Sequence, residues 1–246
     1  MDKSTQVYGI RAVIEAIKAH KPIDKVFIQK GLQGSLVKEL MSEVRKEGIS
    51  TSHVPVEKLN KLCSQNHQGV VAFVSPVDFH PFEALAEEII EREDNPLFLL
   101  LDQVSDVRNF GAIIRTAECS GVHAIVIQHK GAAPVTADTI KTSAGAVYNV
   151  PISKVAHLKD AVYYLQASNV QIVAATEKTE HSIYTTDLNK PTAIIMGSED
   201  VGISPSLLKV VDQKASIPIL GSIDSLNVSV ACGIILYEAV RQRTKP

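Results

Sequence analysis

The 246-residue chain lacks several features that mark membrane, secreted and metal-binding proteins. It contains no run of about 18 apolar residues, so we expect no transmembrane helix and no association with a membrane. Its polar start, Met1–Thr5, has no apolar signal-peptide segment. Three widely spaced cysteines provide neither a disulfide framework nor a zinc-ligand spacing, and they suit the reducing cytoplasm. The histidines also show no metal-ligand spacing, so we predict a cytoplasmic protein without a metal.

Three common catalytic signatures are missing as well. The chain has no G-x-G-x-x-G dinucleotide fingerprint and no G-x-x-x-x-G-K phosphate loop. It also has no G-x-S-x-G nucleophile elbow. These absences disfavour a nicotinamide oxidoreductase, a nucleoside triphosphatase and a serine hydrolase.

The net charge of −2 is distributed unevenly. Residues 1–76 carry 11 lysines and arginines against 7 acids, whereas residues 77–95 carry one arginine against 7 acids. Residues 96–246 carry 13 of each. A basic first segment favours an anionic partner, although charge alone leaves a chance distribution over solvated faces equally open.

The hydrophobic pattern of residues 1–76 predicts a small α/β unit. Its predicted helices span Gly9–Ala19, Leu36–Lys46 and a short stretch within 54–63, and its predicted strands span Val26–Ile28 and Val70–Val74. Residues 77–95 follow as a linker, centred on 76–81, and an acidic helix over Glu83–Glu93.

Residues 96–246 alternate apolar strands with helical stretches, which predicts a mainly parallel sheet covered by helices. The predicted strands are Leu97–Leu101, Ala124–Ile127, Val170–Ala175, Ala193–Met196 and Ala215–Ile217. The predicted helices are Ala112–Ser120, Ala137–Gly145, Leu158–Ser168, Ser204–Val210 and Val230–Arg243.

Polar residues cluster where three of these strands lead into the next segment. Asn109 and Arg115 follow the first strand, Gly197 and Glu199 follow the fourth, and Ser225-Leu226-Asn227 precedes the last helix. Ligands of parallel sheets bind at the carboxyl ends of strands, so these clusters are candidate walls of one site. Each also has an ordinary structural interpretation, namely an arginine reaching solvent, a polar turn and a helix cap.

In this order, the three motifs resemble those of the SpoU/TrmH RNA 2'-O-ribose methyltransferases, members of the SPOUT class. The motifs are Asn109–Ala117, Met196–Gly202 and Ile217–Ala231. In addition, Tyr8–Ala16 and Asn66–Ala72 resemble a small RNA-binding domain, similar to ribosomal protein L30e. This domain occurs in the branch of the family that methylates a guanosine of 23S ribosomal RNA. The resemblance covers nearly the whole chain.

The resemblance implies a fold and a cofactor. It implies an α/β trefoil-knot domain over 96–246, an L30e-like α/β domain over 1–76 that binds the RNA substrate, and a homodimer with active sites at the subunit interface. The implied cofactor is S-adenosylmethionine. Its contacts, mostly through backbone atoms, carry over to Thr176, Gly197, Ile217 and Leu226.

The resemblance also implies catalytic roles. It assigns activation of the ribose 2'-hydroxyl to Arg115. We expect Asn109 and Glu199 to orient Arg115 and the ribose or phosphate. We expect Ser225 and Asn227 to bind the target nucleotide or to fix the turn of the third motif. Deprotonating a free arginine at pH 7 costs roughly 7 kcal/mol, so we favour a guanidinium that stabilises the developing alkoxide over a neutral base.

Four alternatives remain open from the sequence. The substrate can be a tRNA guanosine or a ribosomal adenosine, as in thiostrepton-type resistance. The chain can also be an RNA-binding assembly factor without catalysis, which the retained polar motifs disfavour. A nicotinamide oxidoreductase is the alternative at the level of fold.

Overall fold

The computed structural model describes residues 6–244. The polar start Met1–Thr5 and the last two residues of the predicted 96–246 domain lie outside the described residues. The chain divides into two compact units. One contains the residues up to Asp78 together with Pro134–Ala137, and the other contains Phe79–Ala133 and the residues from Asp138 onward.

The first unit is built on a four-stranded mixed sheet in the order β1-β4-β2-β3. Its strands are β1 (Gln6–Tyr8), β2 (Ile23–Gln29), β3 (Ser50–Val54) and β4 (Val70–Val74). Its helices are α1 (Ile10–Lys18), α2 (Ser35–Lys46) and α3 (Val56–Leu62). Strands β2 and β3 run parallel, whereas β4 is antiparallel to both β1 and β2.

Strand alternation gives this sheet two different faces. The apolar face of α1 and that of α2 pack on one face and form the main core of the unit with Val26, Ile28, Val70 and Ala72. A smaller cluster on the other face joins Val54 and Val71 to Leu59 of α3. Within the first unit, the second face is therefore packed by the short helix α3.

The second unit contains a six-stranded, all-parallel sheet in the order β10-β8-β9-β5-β6-β7. Its strands are β5 (Leu97–Leu101), β6 (Ala124–Gln128), β7 (Ile152–Val155), β8 (Gln171–Ala175), β9 (Thr192–Met196) and β10 (Gln213–Ala215). The central strands β5 and β9 are buried throughout. Because the strands are parallel, all their carboxyl ends lie at one edge of the sheet.

Helices cover this sheet, as its continuous apolar strands require. They are α4 (Phe82–Arg92), α5 (Val107–Cys119), α6 (Ala137–Thr142), α7 (Leu158–Ala167), α8 (Pro205–Leu208) and α9 (Val228–Arg243). The acidic helix α4 packs its apolar residues into the same core as α7. None of the helices within residues 6–244 combines the length and hydropathy that crossing a bilayer needs.

The predicted α/β class and parallel sheet are confirmed, while several element bounds were wrong. Strands β1, β3 and β7 were not predicted, whereas the short helix predicted within 54–63 is present as α3. Helix α6 ends at Thr142 because Ala144 and Gly145 adopt positive φ angles of 51° and 86°. Strand β10 ends at Ala215, two residues before the predicted end.

Candidate active site

A cleft of about 300 Å³, open to solvent, lies at the carboxyl edge of the parallel sheet in the second unit. The ends of β8, β9 and β10 and the start of α9 form its walls. The four residues predicted to contact a cofactor all line it: Thr176, Gly197, Ile217 and Leu226. The structure thus brings together residues that are up to 50 positions apart in the chain.

A tight loop after β9 forms the wall that carries Glu199. A Cβ atom on Gly197 would lie 2.1 Å from the carbonyl carbon of Gly202, so only glycine permits this close approach of two backbone segments. The amide of Gly202 donates to the carbonyl of Ser198 at 2.9 Å, which closes the loop. Glu199 is therefore presented by a backbone that has little freedom.

The wall at the ends of β8 and β10 is held by backbone hydrogen bonds. The amide of Thr176 donates to the carbonyl of Ala215 at 2.9 Å. The hydroxyl of the nearly buried Thr176 accepts from the amide of Lys178 at 3.2 Å. After Ile217 the chain is exposed up to Asn227, and Ser225 and Leu226 of this exposed stretch line the cleft.

Asn227 connects three of the predicted catalytic positions. Its side-chain amide donates to Oδ1 of Asn109 at 3.0 Å and to Oε1 of Glu199. The same Glu199 oxygen accepts from the amide of Val228 at 3.3 Å. The start of α5, the loop after β9 and the start of α9 therefore meet in one polar network at the cleft.

Local capping explains why Asn109 and Asn227 lie at this edge. Asp106 accepts from the amides of Arg108 and Asn109 at 2.9 and 2.8 Å, which starts α5 immediately after the β5 loop. Asn227 is itself the N-cap of α9, accepting from the amides of Ser229 and Val230. Both residues therefore stand where a helix begins, as the preference of Asp and Asn for caps predicts.

Arg115 lies apart from this network. It is exposed on α5, six residues after Asn109, and in the part of the chain that the structure describes no hydrogen bond or ion pair holds its guanidinium. Six residues advance a helix by about 9 Å and turn it onto another face. Asn109 and Glu199 thus contact Asn227, and they do not contact Arg115 by any hydrogen bond within residues 6–244.

No role was predicted from the sequence for Asp102, which holds the loop that carries Glu199. Asp102 is fully buried at the end of β5, and its Oδ2 accepts from the amide of Ser204 at 2.7 Å, which fixes the far end of the Glu199 loop. Its Oδ1 has no hydrogen-bond partner among residues 6–244. The sequence did contain a signal for Asp102, because this carboxylate comes directly after a five-residue apolar strand.

Cys232 follows the cleft-lining Ala231 but is not a candidate nucleophile. Complete burial raises the pKa of its thiol to about 12, so the thiolate is scarce at neutral pH. Within residues 6–244, no group of three or more histidine, cysteine or acidic side chains could together hold a metal ion.

The chemistry of the lining fits S-adenosylmethionine. Carboxylates outnumber cations in the lining, with Glu177, Glu199, Asp200 and Asp224 against Lys178. An acidic surface suits the positively charged sulfonium and amino groups of this cofactor. Apolar side chains from β10 to α9, including Ile217, Ile219, Leu226 and Val228, supply the surface that a purine ring needs.

Family models match both parts of the chain. Residues 96–237 match the SpoU rRNA Methylase family. Residues 6–80 match the family described as RNA 2'-O ribose methyltransferase substrate binding.

Curated relatives cover almost the whole chain. A 23S rRNA (guanosine-2'-O-)-methyltransferase, RlmB, of Photobacterium profundum is 38% identical over 96% of this chain and 97% of its own length. The putative TrmH family tRNA/rRNA methyltransferase YacO of Bacillus subtilis is 31% identical over 96% of this chain and 95% of its own.

Solved structures share this fold. An AdoMet-bound rRNA methyltransferase from Sinorhizobium meliloti has a TM-score of 0.63 at 26% identity, covering 98% of this chain and 88% of its own. The SpoU methyltransferase AviRb from Streptomyces viridochromogenes has a TM-score of 0.62 at 26% identity, covering 97% and 89%. The resemblance read from the three motifs is confirmed, and the chain belongs to the SpoU rRNA methylase family.

Proposed function

We propose that this protein transfers a methyl group from S-adenosylmethionine to the ribose 2'-hydroxyl of a guanosine in 23S ribosomal RNA. The observation that carries the proposal is the polar network of Asn109, Glu199 and Asn227 at the rim of the acidic cleft. Relatives at 35–38% identity over nearly the full chain are named for this reaction, which supports the same substrate here.

The proposed cofactor site is the cleft. The cofactor is held there by residues that line it, namely Thr176, Gly197, Ile217 and Leu226. When bound there, S-adenosylmethionine supplies an electrophilic methyl group on a sulfonium. The backbone at Gly197 and Ile217 provides fixed donors and acceptors, and Leu226 covers the apolar part.

Arg115 has the role of stabilising the 2'-oxygen as its proton leaves to solvent. An exposed guanidinium that no carboxylate holds within residues 6–244 is available for an oxygen of the substrate. Its always-charged form suits electrostatic stabilisation rather than proton abstraction. Asn109, Glu199 and Asn227 fix the rim against which the ribose is placed, and Ser225 adds a hydroxyl to the same wall.

The proposed functions of the segments follow the domain bounds predicted from the sequence. Residues 1–76 bind the RNA, residues 77–95 are the linker and acidic helix, and residues 96–246 carry methyl transfer. The match of residues 6–80 to a substrate-binding family supports the first assignment. The ribosomal RNA substrate supports a cytoplasmic location.

We also propose that two copies of the chain form a homodimer through α9 and the exposed segment before it. Val230 and Tyr237 lie one heptad apart on α9 and are each 52% exposed, while Leu220 and Ile223 are 100% and 75% exposed. So many exposed apolar side chains on adjoining segments suit an interface. Size-exclusion chromatography with light scattering tests the dimer.

A trefoil knot in residues 96–246 is a further part of the proposal. The strand order β10-β8-β9-β5 departs from chain order, and Arg243 near the end of α9 donates to backbone carbonyls of Asn95, Leu188 and Lys190. These contacts bind the end of α9 to two earlier segments of the chain, one at Asn95 and one at 188–190, which is compatible with threading.

One experiment separates the candidate substrates. Purified protein is incubated with tritiated S-adenosylmethionine and either unmodified 23S rRNA or unmodified bulk tRNA, and the labelled nucleotide is then mapped. We expect label in a guanosine 2'-O-methyl group of the 23S rRNA. Label in tRNA would favour a tRNA substrate, which the name of the B. subtilis relative also includes. Label in neither RNA would favour a non-catalytic assembly factor.

A further inference from the structure

The second face of the N-terminal sheet, opposite α1 and α2, carries aromatic and basic side chains. The strand register places Gln6, Phe73 and Lys25 side by side across three strands, and places Tyr8, Val71 and Phe27 in the next row. Residues paired in this way share a face of the sheet. Within the first unit, the short helix α3 packs on this face over Val54 and Val71.

Two lysines lie over one of these aromatic rings. The Nζ atoms of Lys25 and Lys58 lie 5.2 and 5.8 Å from the ring centroid of Phe27. The ring of Phe73 meets that of Phe27 edge to face, with centroids 5.7 Å apart. Phe27 and Phe73 are half-buried, and Tyr8 in the adjoining strand is 42% exposed.

Neither lysine is neutralised. Within residues 6–244 no carboxylate pairs with Lys25 or Lys58, whereas Lys18 on the other side of the sheet pairs with Glu39 at 2.7 Å. Both ammonium groups are therefore available to a negatively charged ligand, which their positive charge attracts.

We propose that Tyr8, Lys25, Phe27, Lys58 and Phe73, the aromatic–lysine face, bind a single-stranded segment of the RNA substrate. The inference rests on the proposed function, because it names the surface by which the N-terminal unit holds RNA. The lysines contact phosphates, and the aromatic rings offer surfaces for unpaired bases. A groove that combines basic side chains with aromatic rings is the usual means of binding single strands.

The aromatic rings decide between RNA and simpler anions. A free phosphate or an acidic peptide uses the lysines but gains little from Tyr8 and Phe73, whereas an unpaired base stacks on them. A base within a duplex is already stacked on its neighbours. The face therefore fits a loop or an unpaired stretch of RNA better than a continuous helix.

The test measures RNA binding by the full-length protein with two double variants matched in charge. Lys25→Gln with Lys58→Gln removes the lysines of the face, and Lys18→Gln with Lys46→Gln removes two lysines of α1 and α2. Phe27→Leu and Phe73→Leu keep apolar packing but remove the rings. The probes are a fluorescent single-stranded oligoribonucleotide of mixed sequence and an RNA duplex of the same length, titrated at several salt concentrations.

We expect the Lys25/Lys58 variant to lower the magnitude of the salt slope by about 1.4 for single strands, since each phosphate contact contributes about 0.7. We expect each leucine variant to weaken single-strand binding about fivefold or more while the protein stays folded, with only a small loss of stability. The Lys18/Lys46 variant should bind like the wild type. Equal effects of the two lysine variants, or tighter binding of the duplex than of the single strand, would overturn the proposal.

Failure of this inference is distinguishable from failure of the proposed function. If the wild type methylates 23S rRNA and the aromatic–lysine variants bind RNA normally, the surface is wrong and the function stands. If the wild type methylates no RNA, the function itself fails, and the binding titration then reports only on the surface.

Discussion

The side-chain amide of Asn227 donates a hydrogen bond to Oδ1 of Asn109, across 118 positions of sequence. The same amide group reaches Glu199, while the amide oxygen of Asn227 caps α9 by accepting from the backbone of Ser229 and Val230. Asn227 thus uses its nitrogen for the site and its oxygen for the helix. Substitutions that change only one end of the side chain can separate these two roles.

The first prediction concerns Asn227→Asp. Aspartate retains the capping oxygen but loses both donors and places a second carboxylate beside Glu199. We expect the free energy of unfolding to change by less than about 1 kcal/mol from the cap, while methyl transfer falls by about a hundredfold because the rim is misplaced. Tritiated methyl incorporation and thermal unfolding measure the two effects.

Asn227→Ala serves as the control, since it removes the cap and the donors together. We expect this variant to lose roughly 1 kcal/mol of stability in addition to activity. Near wild-type methyl transfer by Asn227→Asp would show that the bridge to Asn109 and Glu199 has no role in the reaction.

The second prediction concerns Arg115→Lys. A lysine keeps the positive charge but lacks the planar fork of donors that can hold an oxygen of the ribose and its phosphate at once. We expect the rate of methyl transfer at saturating cofactor to fall by at least about a hundredfold, the range seen when one stabilising donor of an oxyanion is removed. Single-turnover methylation of 23S rRNA measures this step.

Arg108→Lys is the matched control, because Arg108 is also exposed on α5 and lies in its first turn. We expect its rate to stay within a factor of a few of the wild type. If Arg115→Lys retains most of the wild-type rate, a specific role for the guanidinium is wrong.

The sequence was sufficient for five of the six strands of the sheet that carries the site, with β7 not predicted. Apolar runs such as Leu97–Leu101 are buried on both faces, and only a helix-covered parallel sheet accommodates them in number. The short or polar strands escaped prediction because tertiary pairing, rather than their own pattern, stabilises them. Ser50–Val54 is a strand because it pairs with β2, although only its last residue is buried.

It was easier to predict which residues belong to the site than which of them bond to each other. Motif order indicated that the residues near 109, 199 and 227 belong together, since all follow strand ends or precede a helix at one edge. The sequence could not show that Asn227 would stand between Asn109 and Glu199, because side-chain partners depend on how β5 and β9 pair in space. It also could not show the support from Asp102, whose partner Ser204 is 102 positions away.

The third prediction concerns Gly197→Ala. The added methyl group would lie 2.1 Å from the carbonyl carbon of Gly202 and 2.3 Å from the amide nitrogen of Ile203, and backbone atoms cannot yield as a flexible side chain does. We expect a loss of about 1–3 kcal/mol of stability. Because the loop forms a wall of the cleft, we also expect calorimetry to detect little binding of S-adenosylmethionine. Gly221→Ala is the control, since nothing lies within 4 Å of its Cβ position.

The fourth prediction concerns Arg243→Met near the end of α9. Arg243 donates to the carbonyls of Asn95, Leu188 and Lys190 at 2.7–2.9 Å. Methionine keeps the apolar stem but leaves the three carbonyls without this donor. We expect roughly 2–3 kcal/mol of destabilisation in urea unfolding, since hydrogen bonds from charged groups contribute about 1.5–3 kcal/mol each and are not additive. Arg92→Met, at an exposed position of α4, should cost less than about 1 kcal/mol.

The fifth prediction concerns the pH dependence of stability. Burial lowers the pKa of His123, against the opposing effect of Glu93, and burial together with Lys154 lowers the pKa of His129. Each histidine therefore binds a proton more readily in the unfolded chain, where its pKa is about 6.5. The unfolded state gains protons first as the pH falls, so stability should decrease below about pH 6.5 and should not change from this cause above it.

Urea unfolding of the wild type at pH 7.5, 6.5 and 5.5 measures the slope, and the double variant His123→Gln with His129→Gln should show a smaller slope than the wild type. The exposed His157→Gln is the control and should leave the slope unchanged. An equal slope in the double variant and the wild type would contradict the assignment of the acid sensitivity to these two histidines.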